Sequence, residues 1–179
     1  MPPSATHVTP LLGADGFQAL WNRRERVARD SGVHVARIEH LLRRYGTRID
    51  DLLAMVAERP ELAEPLPGAD DYLSVEVRYA CTDEGALHLD DVLTRRMRIS
   101  IETWDRGLEA APHAAGLMAE VLGWDDATTA AEVEIYRERV AAERRSQEQA
   151  DDLAADLERT SAPDVLARRV GDRAGVSPR

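Results

Sequence analysis

Lysine is missing from this sequence of 179 residues: all 23 basic side chains are arginine. That excludes a Schiff-base lysine and the phosphate-binding lysine of a P-loop. Set beside the abundant alanine, it reads as a coding bias. Cys81 is the single cysteine, so neither an internal disulfide nor a cysteine-based zinc cage is expected. No apolar run approaches the roughly 18 to 20 residues that span a bilayer, so no integral membrane segment is expected. The N-terminal stretch MPPSATHVTP lacks the basic-then-apolar layout of a secretory signal. A cytoplasmic location is the default expectation. None of the eleven glycines forms a GxG pair, so the dinucleotide-binding fingerprint is absent. There is no GxSxG elbow around a serine nucleophile. Glu39-His40 has no second histidine at HExxH spacing, and His34 and His40 are six apart, on different sides of a helix; no metal site is expected.

What is present is an ordinary globular composition, 44% hydrophobic and 31% charged. The formal charge is −10, from 33 acids against 23 bases. That field repels a phosphate backbone, so no nucleic-acid partner is expected. Apolar periodicity is helical almost throughout. Residues 1–13 read as a linker-like segment broken by Pro2, Pro3, Pro10 and Gly13. A first helix is predicted over 16–29, and a second over 34–45 with Val35, Ile38, Leu41, Leu42 and Tyr45 on one face and Gly46 at its C-terminus. A third follows with Thr47 as N-cap, then a proline-stiffened connector over 61–68. Asp70 is expected to cap a fourth helix. The stretch from Ala80 to Ile101 organises the rest, with an acidic turn at Asp83-Glu84-Gly85 and a helix over 89–99. Two more helices are predicted, over 110–122 and from Asp125, its N-cap, to about residue 149. From residue 150 the chain reads as a mobile acidic and arginine-rich tail with short helices. The expected fold is all-α, a compact helical bundle of about six to seven helices with a polar C-terminal tail. The expected domains are 1–13 linker, 14–149 helical domain and 150–179 tail.

Aspartate doublets at 50–51, 70–71, 90–91, 125–126 and 151–152 offer paired carboxylates for acid–base work or metal binding. Acids also favour helix starts, where they accept backbone N–H bonds, and the capping role is the stronger reading. The arginine cluster Arg95, Arg96 and Arg98 is the strongest polar signal. Asp91 and Arg95 are i,i+4 partners in the favourable order. An anion site is one reading. A network tying this helix to Glu76 or Glu84 is the preferred one. A helix-turn-helix over 75–101 ranks behind both, because Asp90 and Asp91 stand where phosphates would lie.

Taken as a set, TPLLGADGFQALW (9–21), HLLRRYG (40–46), ERPELAEPLPG (58–68), EVRYACTDEGALHLDDVLTRRMRISIET (76–103) and EVLGWD (120–125) resemble one family. It is the C-terminal helical domain of FAD-dependent glycerol-3-phosphate dehydrogenases, also called the alpha-glycerophosphate oxidase C-terminal domain, in its actinobacterial form. The resemblance implies a helical bundle placed after an FAD and substrate domain. It implies a parent reaction, oxidation of sn-glycerol 3-phosphate to dihydroxyacetone phosphate. The family's glycine-rich flavin fingerprint has no counterpart here, so no catalytic, cofactor-binding or metal residue carries over, and FAD is expected in the full-length family rather than in this chain. Arg44, Tyr45, Glu76, Tyr79, Glu84, Asp91, Arg95 and Arg96 match the family pattern as scaffold or interface residues. The chain alone is predicted inactive, an interaction or scaffold module whose partner is a flavoprotein subunit or a second copy of itself. The rival readings are an independent acidic helical regulator that binds another protein and, behind it, a helix-turn-helix nucleic-acid binder.

Overall fold

The computed structural model describes residues 5–163 and divides the chain into two units, residues 1–64 and 65–179. The first unit is helical: α1 (Phe17–Asn22), α2 (Arg24–Ser31), α3 (Val35–Tyr45) and α4 (Ile49–Glu58). In α3 the 3.6-residue period buries Ile38, Leu41, Leu42 and Tyr45. In α4 it buries Ile49, Leu52 and Val56. The helix predicted over 16–29 is interrupted at Arg23, whose N–H turns back to the Leu20 carbonyl at 2.9 Å. Beyond the break the Arg24 guanidinium donates to the Trp21 carbonyl at 3.2 Å and lies over the Trp21 ring. Thr47 is not an N-cap. Residues Gly46–Arg48 form a 3₁₀ turn leading into α4, and its N-cap, Arg48, makes no side-chain capping bond. The Thr47 N–H donates instead to the Gly13 carbonyl at 2.9 Å. Gly46, at φ +57°, sits so close to that carbonyl that any Cβ there would collide with it.

The second unit opens with an antiparallel ribbon, β1 (Pro65–Leu66) and β2 (Ala69–Leu73). Pro67-Gly68 makes the turn, with Gly68 at φ +67°. The predicted cap at Asp70 is therefore corrected: Asp70 and Asp71 lie on β2, and α5 (Ser74–Thr82) begins four residues later. Hairpin pairing with Pro65–Leu66 overrides the local helical pattern here. The buried Glu76 carboxylate then reaches back to the Leu73 N–H at 2.9 Å and satisfies one open donor of the new helix.

The helix predicted over 89–99 is shorter and of another kind. Asp91–Arg96 form a single π turn, closed by the Met97 N–H on the Val92 carbonyl at 2.8 Å. Arg98, at φ +64°, ends it before the four-residue α6 (Ile99–Glu102). Then come α7 (Ala111–Leu122), stopped by left-handed Gly123, and α8 (Asp126–Ser146), where the Asp125 carboxylate accepts the Thr128 N–H at 2.7 Å as an N-cap. α9 (Asp152–Thr160) lies within the predicted tail, capped by Asp151 and ion-paired through Glu158 to Arg145 of α8. The tail's remaining residues, 164–179, lie outside those described. The core of this unit is a continuous cluster from the ribbon, α5, the π turn, α7 and α8, including Tyr72, Leu89, Leu93, Met97, Met118 and Tyr136. Among the described residues, no helix is long and apolar enough to cross a membrane.

Candidate functional site

Four of the eight family-pattern residues lie at the turn over 84–96. Arg96 grips the turn itself, its Nε and Nη2 donating to the Glu84 carbonyl at 3.2 and 3.0 Å. The Asp91 carboxylate accepts the N–H groups of Leu87 and His88, both at 3.1 Å, and an Arg95 bond at 2.6 Å. Partial burial works against the Asp91 charge, but these three bonds outweigh it and hold the carboxyl below the usual aspartate range. Arg95 also reaches the buried Asp90 at 2.8 Å. Glu76 and Tyr79 are buried on α5. Arg44 and Tyr45 belong to the first unit, where the Arg44 guanidinium stacks over the Tyr45 ring.

The acid–arginine system extends much farther than its sequence signal. Asp90 is paired a second time, with Arg139 of α8, and Arg139 continues to Glu143 at 3.2 Å. Glu143 in turn accepts from Arg106 at 2.5 Å. The result is an alternating row: Asp91, Arg95, Asp90, Arg139, Glu143, Arg106. Burial disfavours the Arg139 charge, yet Asp90 and Glu143 more than compensate and push its pKa up. The row is neutral, three acids against three bases, so it holds no surplus positive charge for a phosphate. Beside it a cavity of about 210 Å³ is lined by Asp90, Arg95, Glu132, Tyr136, Arg139 and Arg159. Glu132 meets His88 Nδ1 at 2.9 Å and the Leu89 N–H at 3.0 Å, tying α8 to the start of the π turn. The geometry is that of a staple between the turn and α8. Beyond the i,i+4 spacing of Arg139 and Glu143, these residues, Arg106 and Glu132 had no sequence signal, since Asp90–Arg139, Arg106–Glu143 and His88–Glu132 join partners some 40 residues apart that no local spacing encodes.

A serine–histidine contact also went unseen: Ser74 Oγ lies 3.0 Å from His113 Nε2. Ser74 is only 1% exposed, so no substrate carbonyl reaches its hydroxyl, and the pair joins α5 to α7. Burial likewise pushes the Cys81 thiol up to about 11, leaving it protonated and unreactive at neutral pH. Among the described residues, no three His, Cys, Asp or Glu side chains converge as metal ligands.

The segment from Arg98 to Gly107 is different in kind: Ile99 is buried in the core, but Ile101 and Trp104 are displayed. Trp104 is fully exposed and Ile101 is 67% exposed, while the backbone beneath them is firmly held. Tyr72 donates to Glu102 at 2.5 Å, Arg144 to the Trp104 carbonyl at 3.3 Å and Tyr136 to the Arg106 carbonyl at 2.6 Å. Asp105 accepts the N–H groups of Gly107 and Glu109 at 2.9 and 2.7 Å. Arg98 and Arg106 are the two non-glycine residues with left-handed φ among those described. Both bracket this segment.

Residues 4–129 match the family described as the C-terminal domain of alpha-glycerophosphate oxidase. The chain is 52% identical over 93% of its length to a glycerol-3-phosphate dehydrogenase of Mycobacterium leprae, and 51% identical over 92% to glycerol-3-phosphate dehydrogenase 2 of Mycobacterium tuberculosis. It spans 28% of the length of each. A glycerol-3-phosphate dehydrogenase of Synechocystis is 30% identical over 76% of the chain and 25% of that relative. No solved structure matches the chain significantly.

Proposed function

The chain belongs to the family of alpha-glycerophosphate oxidase C-terminal domains, and from that premise we propose that it is a docking module for a flavin-bearing polypeptide. The parent reaction is the oxidation of sn-glycerol 3-phosphate to dihydroxyacetone phosphate, two electrons and two protons passing to FAD. In this reading the module works in the cytoplasm and performs no redox step of its own.

The observation that carries the reading is the match at 52% identity over nearly the whole chain to a dehydrogenase more than three times as long. The fold supports the division of labour. Binding FAD in a dinucleotide fold requires a parallel sheet whose strand runs through a glycine-rich turn into a helix N-terminus. The sheet among the described residues is a two-stranded antiparallel ribbon. The described residues therefore do not fit the flavin, and no step is derived through it. The rival helix-turn-helix reading is weakened by the segment that would enter the groove, a single π turn with acids at its start.

Purified chain is expected to lack the flavin absorbance band and to reduce no dye in the presence of glycerol 3-phosphate. Used as bait in an extract of its source, it is expected to retain a flavin-containing polypeptide. A yellow cofactor co-purifying with the chain alone would overturn the reading.

A further inference from the structure

Resting on the docking reading, we propose that Leu11 and Leu12 are the centre of the face that receives the flavin-bearing polypeptide. Leu12 is 86% and Leu11 82% exposed, more than any other large aliphatic side chain among those described, and Val8 just ahead of them is 68% exposed. A folded surface scatters single apolar residues freely. A cluster of them held in water within one short stretch marks an interaction site.

The leucine pair stands on a folded turn rather than on a fraying end. The Ala14 N–H donates to the Leu11 carbonyl at 3.0 Å, and the Thr47 N–H to the Gly13 carbonyl at 2.9 Å, which straps the turn to the end of α3. The strap demands glycine on both sides. Gly13 stands at φ +84°, where a Cβ would strike the Tyr45 carbonyl, and a Cβ on Gly46 would strike the Gly13 carbonyl. Ahead of the pair, the Val8 N–H and the Thr9 hydroxyl both donate to the Ala5 carbonyl, at 3.0 and 2.9 Å. Ordering glycine costs more chain entropy than ordering other residues. Here that cost maintains a turn whose own leucines bury little, and it is explained if a partner buries them. Because the turn is already ordered, association has little left to order.

The occupant follows from where the rest of the relatives' chain joins. Residues 4–129 match a domain described as C-terminal, and the chain spans 28% of the Mycobacterium leprae dehydrogenase. In such a relative the greater part of the polypeptide comes first and leads into this segment. Even with the backbone from position 4 to Leu11 fully extended, the leucine lies at most about 25 Å from that junction. The 3₁₀ turn over Thr6–Val8 brings it closer. The polypeptide that enters here is therefore the one placed to cover the pair, and the flavin-bearing partner of the docking reading is its counterpart for this chain.

The test uses the full chain as bait in an extract of its source, with retained flavin read by absorbance and the retained polypeptide identified by mass spectrometry. The parent is expected to hold a flavin-containing polypeptide. Leu11→Asp with Leu12→Asp should hold at least about tenfold less, because two carboxylates cannot enter a dry contact unpaired. Leu11→Ala with Leu12→Ala removes apolar surface without adding charge and should also lower retention. Leu153→Asp with Leu157→Asp makes the same charge change at two exposed leucines of α9, outside the residues that match the family, and should retain as the parent does. Far-UV circular dichroism and melting temperature should stay close to the parent in all three variants, since the altered side chains face water. Equal retention by the parent and the Leu11/Leu12 aspartate variant overturns the proposal and leaves the docking reading standing. Equal loss in the α9 variant overturns it too, because capture would then follow exposed apolar surface in general. A parent that retains no flavin-containing polypeptide overturns the docking reading itself, and the proposal with it. Self-association of the parent in place of capture, abolished by the Leu11/Leu12 aspartate variant, would assign the face to a second copy and overturn the proposal likewise.

Discussion

Asp91 shows what a single side chain contributes at the turn. Its carboxylate accepts two backbone N–H groups and one arginine, so the folded chain holds it ionised more strongly than the unfolded chain does. The folded pKa is the lower of the two. Asp91 therefore contributes stability that is complete above the unfolded value, about 3.9, and is lost as pH falls through the folded value. Asp91→Asn should cost about 1 kcal/mol at neutral pH, a modest figure because Arg95 is half exposed and its pairing is screened. The substitution should also flatten the acid limb of the stability curve. Thermal unfolding of both proteins between pH 6 and about pH 3 reads both effects, and parallel curves would contradict them. Asp91 and Arg95 were legible as i,i+4 partners. That Asp91 also holds Leu87 and His88 was not, since a reversal of the chain in front of a helix leaves no periodic trace.

The π turn over Asp91–Arg96 and α8 form one mechanical unit joined at Asp90. That carboxylate is buried and paired with Arg95 and Arg139. Removing it leaves the Arg139 guanidinium, half-buried, without one of its two counter-charges. Asp90→Ala is expected to destabilise the chain by about 3 kcal/mol. Asp126→Ala, exposed at the start of α8, should change stability little. Urea denaturation of the two variants checks this, and an equal effect on both would show that the staple carries no special energy. Amphipathic period made α3, α4, α7 and α8 readable, because each buries a continuous stripe. It failed at β2 and at the π turn. Asp70-Asp71-Tyr72-Leu73 pairs with Pro65-Leu66 across a Pro-Gly turn, a partner that a helical template ignores. The π turn differs from an α-helix by one residue of register, which side-chain pattern does not resolve.

For the whole chain, residues 65–179 carry their own apolar cluster, which runs from Leu66 to Val140 with members in the ribbon, α5, the π turn, α7 and α8. A unit with a self-contained core is expected to fold alone. Expressed separately, residues 65–179 should unfold in one cooperative transition with helical circular dichroism. A non-cooperative melt would show that the cluster does not suffice. The boundary at Glu64–Pro65 falls inside the proline-rich connector, whose composition marked a break in periodicity but not a division between units.

By itself the sequence determined helical class, family membership and the exclusion of several chemistries, because composition, period and motif are local and survive without coordinates. The absent lysine and missing GxG pairs are facts of that kind. Only the tertiary structure decided what the polar residues do. It placed Arg139 and Glu143 beside Asp90, joined Arg95 of the arginine cluster to them in a neutral row, and left Trp104 facing solvent on an anchored loop. Each of these depends on which distant residue a side chain meets, and burial, pairing and exposure are properties of that meeting rather than of the residue.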